Sequence, residues 1–101
     1  MVIALDYDDT YTKDPELWLE YIDLALARGH TVFLVTMRAP YERHKLDQTL
    51  LNKIPAEFTN SKAKRPFMEE KGIHIDVWID DNPHYVDQDH WLIDAYKKWM
   101  K

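Results

Sequence analysis

The sequence predicts a three-layer α/β/α domain built on a central parallel sheet of about four strands. Three observations carry that prediction. Strand-like and helix-like segments alternate four times along 101 residues. The runs Val2-Ile3-Ala4-Leu5, Thr31-Val32-Phe33-Leu34-Val35-Thr36 and Val77-Trp78-Ile79 are apolar on both sides of the two-residue alternation, the pattern of strands buried on both faces. The connections are short, with no repeat and no linker, so residues 1–101 read as one domain.

The elements follow in order. The first strand ends at Asp6, because Asp is depleted in strands. An acidic loop, 6–13, then leads into Asp14-Pro15, an N-cap followed by a residue suited to the first helical position. Leu17, Trp18, Tyr21, Ile22, Leu24 and Ala25 recur at helical spacing; Arg28 sits in the last turn and Gly29 is the stop. The second strand ends at the hydroxyl of Thr36 and is followed by Met37-Arg38. Pro40 opens a charge-rich helix over 40–53, whose thin apolar line of Leu46, Leu50 and Ile54 places it outside the core. A third strand covers 56–60. Lys62, Lys64 and Arg65 precede Pro66, which opens a short helix over 66–71 that stops at Gly72. Ile75 and Val77-Trp78-Ile79 make the fourth strand, which runs into Asp80-Asp81-Asn82-Pro83. Trp91, Leu92, Ala95, Tyr96 and Trp99 mark a C-terminal amphipathic helix.

Composition narrows the function classes. A chain of this length buries most of its surface, and its 46% hydrophobic content is ordinary for a globular domain. Without Cys no disulfide is possible, which fits a reducing compartment. No apolar run is long enough for a membrane span, and the N-terminus lacks the basic-then-apolar pattern of a secretory signal. A soluble cytoplasmic protein is expected. The formal net charge of −5 argues against a general nucleic-acid-coating surface but leaves room for a local basic patch. The five His show no metal-ligand spacing; His84 and Tyr85 are candidates for the rim of a site.

The acids carry the chemistry. Asp6, Asp8 and Asp9 crowd three carboxylates into four positions, which repel one another unless a cation sits among them. A hard metal ion fits such a set. An EF-hand loop does not: counted from Asp6, the Gly of position 6 is Tyr11 and the acid of position 12 is Leu17. All four strands are expected to end in polar groups: Asp6, Asp8 and Thr10, then Thr36, then Lys64, then Asp80 and Asp81. In a parallel sheet these ends share one edge, where ligands bind at the switch point. A nucleophile, a metal, a hydroxyl and an ammonium group on one edge suit phosphoryl transfer.

The sequence resembles the haloacid dehalogenase-like (HAD) superfamily of phosphatases, whose four motifs occur in order over nearly the whole chain. Asp6-Tyr7-Asp8-Asp9-Thr10 matches the Asp-x-Asp-x-Thr motif, and Phe33-Leu34-Val35-Thr36 the strand ending in Thr or Ser. Lys64, with Lys62 as the alternative, matches the motif lysine, and Val77-Trp78-Ile79-Asp80-Asp81 the strand ending in paired acids. The resemblance implies a Rossmann-like fold and a Mg2+-dependent phosphomonoester hydrolase. Asp6 would be the nucleophile that becomes an aspartyl phosphate, and Asp8 the acid and then the base. Mg2+ would take oxygens from Asp6, the backbone carbonyl of Asp8 and Asp80, with Asp81 supporting it through water or hydrogen bonds. Thr36 and Lys64 would hold phosphate, Thr10 would fix the loop, and Arg38 would be placed to touch the substrate.

One residue departs from the family pattern: Asp9 stands where Gly is common. The intervals from Asp6 to Thr36 and from Thr36 to Lys64 hold one helix and one strand each, leaving no room for a cap domain. The resemblance therefore implies an open site, with a phosphorylated substrate of unspecified identity that is either a large partner or a small molecule taken by a homo-oligomer. Two alternatives stand beside this reading. One is removal of a terminal phosphate from nucleic acid. The other is a non-catalytic signalling module that is phosphorylated on Asp or holds a metal. Receiver domains share the residue types, but their phosphoacceptor Asp ends a strand between the acid pair and the hydroxyl, and no such Asp lies between Asp9 and Thr36 at a strand end.

Overall fold

A computed structural model describes residues 1–90. The C-terminal helix expected from Trp91, Leu92, Ala95, Tyr96 and Trp99 lies outside the described residues. The first strand, β1 (Val2–Leu5), is flanked by β2 (Thr31–Thr36) and β4 (Val77–Ile79), and β3 (Ala56–Phe58) lies outside β2. All pairings are parallel, in the order β3-β2-β1-β4.

Side-chain alternation along these strands feeds two cores, one per face. Ile3, Leu5, Val32 and Leu34 point to one face, where α1 (Pro15–Ala27) contributes Ile22 and Ala25 and α2 (Gln48–Lys53) contributes Leu50 and Leu51. Ala4 and Val35 point to the other, where they meet Met68 of α3 (Lys64–Glu70), with Ile75, Phe33, Phe67 and Trp78. The short α4 (His84–Asp87) is tied to α3 by an Arg65–Asp87 ion pair of 2.8 Å. The chain thus builds outward from β1 to β3 over one face, then crosses the other face to place β4 on the far side of β1. That reversal is the switch point of a Rossmann-like three-layer domain.

The local signals around α1 act as expected. Asp14 accepts a hydrogen bond from the Leu17 N–H, Pro15 is the first helical residue, and Gly29 turns the chain with φ +85°.

The segment 40–53 differs from the single peripheral helix that its pattern suggests. A 3-10 turn, Pro40–Lys45, carries the charges, and Leu46 is extended. Asp47 then caps α2 by accepting from the Thr49 N–H at 2.9 Å. The break frees the apolar residues from one helical line, so Leu46, Leu50, Leu51 and Ile54 are all buried in the core rather than outside it. Helix α3 starts at Lys64 rather than Pro66. Pro66 is tolerated in the first turn, where its missing N–H has no helical partner to lose. Strand β3 stops at Phe58, short of 60, because Asn60 (φ 54°) and Ser61 (φ 70°) are left-handed.

Candidate active site

The strand register sets the site. Leu5 is level with Ile79 and with Leu34, so Asp6 and Asp80 emerge side by side, and Thr36 ends the strand on the other flank of β1. The ladder continues one step further through the Asp6 N–H, which donates to the Ile79 carbonyl at 2.9 Å. The first residue of α3 completes the group. Lys64 is 2% exposed, and its Nζ donates to Asp6 Oδ1 at 2.7 Å and to Asp80 Oδ2 at 2.6 Å. Between the two candidate lysines the geometry is decisive: Lys64 reaches the acids, while Lys62 is exposed.

The remaining oxygens are tied locally. The Thr10 hydroxyl lies 3.1 Å from Asp6 Oδ2 and 3.1 Å from Asp81 Oδ1, and it accepts from the Asp81 N–H. Asp80 Oδ1 accepts from the Asn82 N–H at 3.0 Å. Asp6, Asp80 and Asp81 offer oxygens within 4.8 Å of one another. Three carboxylates against one ammonium leave an excess of negative charge, and an all-oxygen set of this kind fits a hard divalent cation. Burial pushes the Asp6 carboxyl up from its ordinary 3.8 to about 7. The Lys64 ammonium opposes the rise, and the neighbouring Asp80 and Asp81 add to it. Strong perturbation in such a cluster is a mark of functional sites.

The loop after β1 is a single turn closed by backbone bonds from Tyr11 N–H to Asp6 O and from Thr12 N–H to Tyr7 O. Asp9 takes the left-handed conformation there (φ 61°), and its N–H donates to Thr12 Oγ1 at 2.9 Å. Asp tolerates that region better than most residues. The position therefore keeps the backbone geometry that Gly would supply.

Tyr7 and Tyr11 stack at 5.5 Å and bolt the loop to α2. The Tyr11 hydroxyl donates to Asp47 Oδ2 at 2.6 Å, and the Tyr7 hydroxyl accepts from the Asp47 N–H. Burial, then the Asp47 carboxylate, raise the Tyr11 phenol; the Tyr11 hydrogen bond in turn lowers the Asp47 carboxyl. Trp18 Nε1 donates to the Thr10 carbonyl at 3.0 Å and fixes the loop against α1. The sequence reading missed this bracing. Its available signals were the Tyr pair at i, i+4 and an Asp standing just before Gln48-Thr49.

Asp8 and Arg38 meet each other. Arg38 Nε and Nη2 donate to the two Asp8 oxygens at 2.9 and 2.8 Å, which holds the guanidinium above its already high ordinary value. Arg38 also lies 3.4 Å from Glu42 and 5.8 Å from the Tyr7 ring centroid. Thr36 is buried, and its Oγ1 accepts from the Arg38 N–H at 3.3 Å. The Thr59, Asn60 and Ser61 N–H groups donate to the carbonyls of Thr36, Arg38 and Met37, pinning the turn after β3 to the turn after β2. On the Asp80–Asp81 side, a cleft of about 380 Å³ opens between Thr10, Lys13, Leu17, Trp18 and Ile79. No helix among the described residues is long and apolar enough to cross a membrane.

Comparison of the chain with protein-family models, with curated proteins and with solved structures returns no match in any of the three.

Proposed function

We propose that this chain is a Mg2+-dependent phosphomonoester hydrolase of the HAD-like type, working through a phosphorylated Asp6. The observation that carries the reading is the buried Lys64 ammonium bridging Asp6 and Asp80, because it joins the ends of β1 and β4 to the first turn of α3 in one charged contact. The carboxylate of Asp6 attacks phosphorus while the bond to the ester oxygen breaks, and Asp8 gives that leaving oxygen its proton. Water then attacks the phosphorus of the aspartyl phosphate, Asp8 takes the water's proton, and inorganic phosphate leaves with Asp6 restored. Lys64 keeps a positive charge beside the nucleophile throughout, and the turn braced by Tyr7, Tyr11 and Trp18 holds Asp6 in place. Asp6, Asp80 and the Asp8 backbone carbonyl would hold Mg2+, with Asp81 of the same carboxylate cluster supporting it, and the bound ion would neutralise charge on the phosphoryl oxygens.

A nucleic-acid end is a second substrate class favoured by one feature. The 3-10 turn that begins two residues after Arg38 exposes Tyr41 (78%) beside exposed Arg43, His44 and Lys45, a stacking surface with basic neighbours in an acidic chain. The test is phosphate release by the purified protein from an aryl phosphate, from sugar phosphates, and from 3′- and 5′-phosphorylated oligonucleotides. Turnover is expected with Mg2+ and is lost with EDTA and in Asp6→Asn. Metal-independent turnover, or an Asp6→Asn variant as active as the parent, would refute the reading. A stable phosphate on Asp6 without turnover would favour the signalling module.

A further inference from the structure

Asp8 and Arg38 are joined in a way that the chemistry proposed for Asp8 cannot use. Both Asp8 oxygens accept from one guanidinium edge, so the carboxylate has no O–H aimed at a leaving group. The pair must open before Asp8 serves as an acid. Three features show how that happens without loss of order. The Nε–Nη2 edge of an arginine fits any two-oxygen anion, carboxylate or phosphate alike. Arg38 has supports that do not involve Asp8: Glu42 faces its Nη1, the Tyr7 ring lies beneath it, and its own N–H is bonded to Thr36. Glu42 is itself anchored, accepting from the Ala39 N–H at 2.9 Å. Asp8, by contrast, is 49% exposed, and exposed ion pairs are weak.

We propose that Arg38 is a latch on Asp8 operated by an oxyanion. A phosphate group entering beside Thr36 takes the place of Asp8 on the Nε–Nη2 edge; the released, solvent-exposed carboxylate takes up a proton from water and swings to the leaving oxygen. Arg38 is then a positioning residue that couples occupancy of the site to availability of the acid. The role given to Asp8 rests on the phosphatase reading; the exchange on Arg38 does not.

A double-mutant cycle with inorganic phosphate as the probe tests the exchange, read from the Arg38 Nε–H resonance and from phosphate affinity. In the parent protein, phosphate should shift that resonance saturably. Freeing Arg38 by Asp8→Asn should tighten phosphate binding about tenfold, the size of coupling common for residues in contact. In the Arg38→Gln background the same Asp8→Asn change should alter affinity less than about twofold, since the latch is already gone. Arg38→Lys, which keeps the charge but not the fork, should bind phosphate more weakly than the parent. Equal tightening by Asp8→Asn in both backgrounds would mean simple charge repulsion and overturn the latch, as would an Arg38 resonance that ignores phosphate. Mg2+-dependent turnover without coupling would remove the latch alone. Coupling without turnover would leave the latch standing and remove the phosphatase reading.

Discussion

Replacing Lys64 by Met is the most direct test of how the buried half of the site is held together. The side chains are similar in length, but the substitution removes the one cation among the described residues that touches Asp6 and Asp80, at 2.7 and 2.6 Å. Both carboxylates are largely buried, Asp6 at 8% and the Asp80 side chain at 3% exposure, so water replaces the ammonium poorly. Removing one partner of a buried pair costs about 3–5 kcal/mol, a large share of the roughly 5–15 kcal/mol that stabilises a domain. At about 4–8 °C per kcal/mol for a domain of this size, the variant should melt some 12–40 °C below the parent.

The pH dependence of that loss has a definite sign. The Asp6 carboxyl titrates in the folded protein at about 7, above its ordinary 3.8. The folded state therefore binds the proton more tightly, and the associated stability is fully present below about 4 and lost as pH rises towards 7. Without the opposing Lys64 charge the window extends upward, so the deficit of Lys64→Met should be larger at pH 8 than at pH 5. MgCl2 should recover part of it at pH 8, about 2.7 kcal/mol at a hundred times the dissociation constant. Thermal melts at the two pH values, with and without MgCl2, check all of this. A variant melting within about 3 °C of the parent at pH 8, less than 1 kcal/mol on the same scale, would refute the argument. An equal deficit at both pH values would refute it too.

Three further substitutions probe separate parts of the structure. Asp6→Asn should abolish turnover, on the order of 10⁴-fold or more as for loss of other catalytic nucleophiles; it should melt no lower than the parent at pH 8, because it removes a buried carboxylate. Asp9→Gly should be neutral or stabilising in urea titrations, whereas Asp9→Val should lose about 1–2 kcal/mol, the cost of a left-handed residue. Tyr11→Phe should lose about 1–2 kcal/mol at pH 7 by removing the bond to the Asp47 carboxylate. Since that bond lowers the Asp47 carboxyl, its contribution is present above the ordinary carboxylate range and fades as acid protonates Asp47, so parent and variant should converge below pH 4.

Much of the fold was readable because its signals are local. Two-faced apolar runs mark β1, β2 and β4, and Asp14-Pro15 marks the start of α1. A parallel sheet then brings strand ends to one edge, which makes Asp6, Thr36 and Asp80 legible as one site, with Lys64 following at the start of the helix after β3. Lys62 and Lys64 both precede Pro66, where the sequence pattern starts the helix. The helix starts at Lys64 itself, and that placement carries its ammonium inward. What escaped the reading depends on pairs thirty or more positions apart, such as Arg38 with Asp8 and Tyr11 with Asp47. The burial of α2 escaped for a different reason: charges confined to a 3-10 turn mask the Leu50-Leu51 pair of the helix that follows it.

The Thr10 hydroxyl gives a further reason why a bound cation would be favoured in the acid cluster. It has one hydrogen, yet Asp6 Oδ2 and Asp81 Oδ1 both lie 3.1 Å from its oxygen, while a lone pair is used by the Asp81 N–H. Only one carboxylate oxygen can receive that hydrogen at a time. Lys64 cannot make up the difference, since its bonds go to Asp6 Oδ1 and Asp80 Oδ2 on the other side of the cluster. Among the described residues, a fixed ammonium thus neutralises one side and the side facing Asp81 has less positive charge. A proton on Asp6 relieves the shortage near neutral pH, in keeping with its raised pKa of about 7. A divalent ion held there would relieve it at higher pH; the two would then compete for the same oxygens, and Mg2+ affinity should rise with pH through that value.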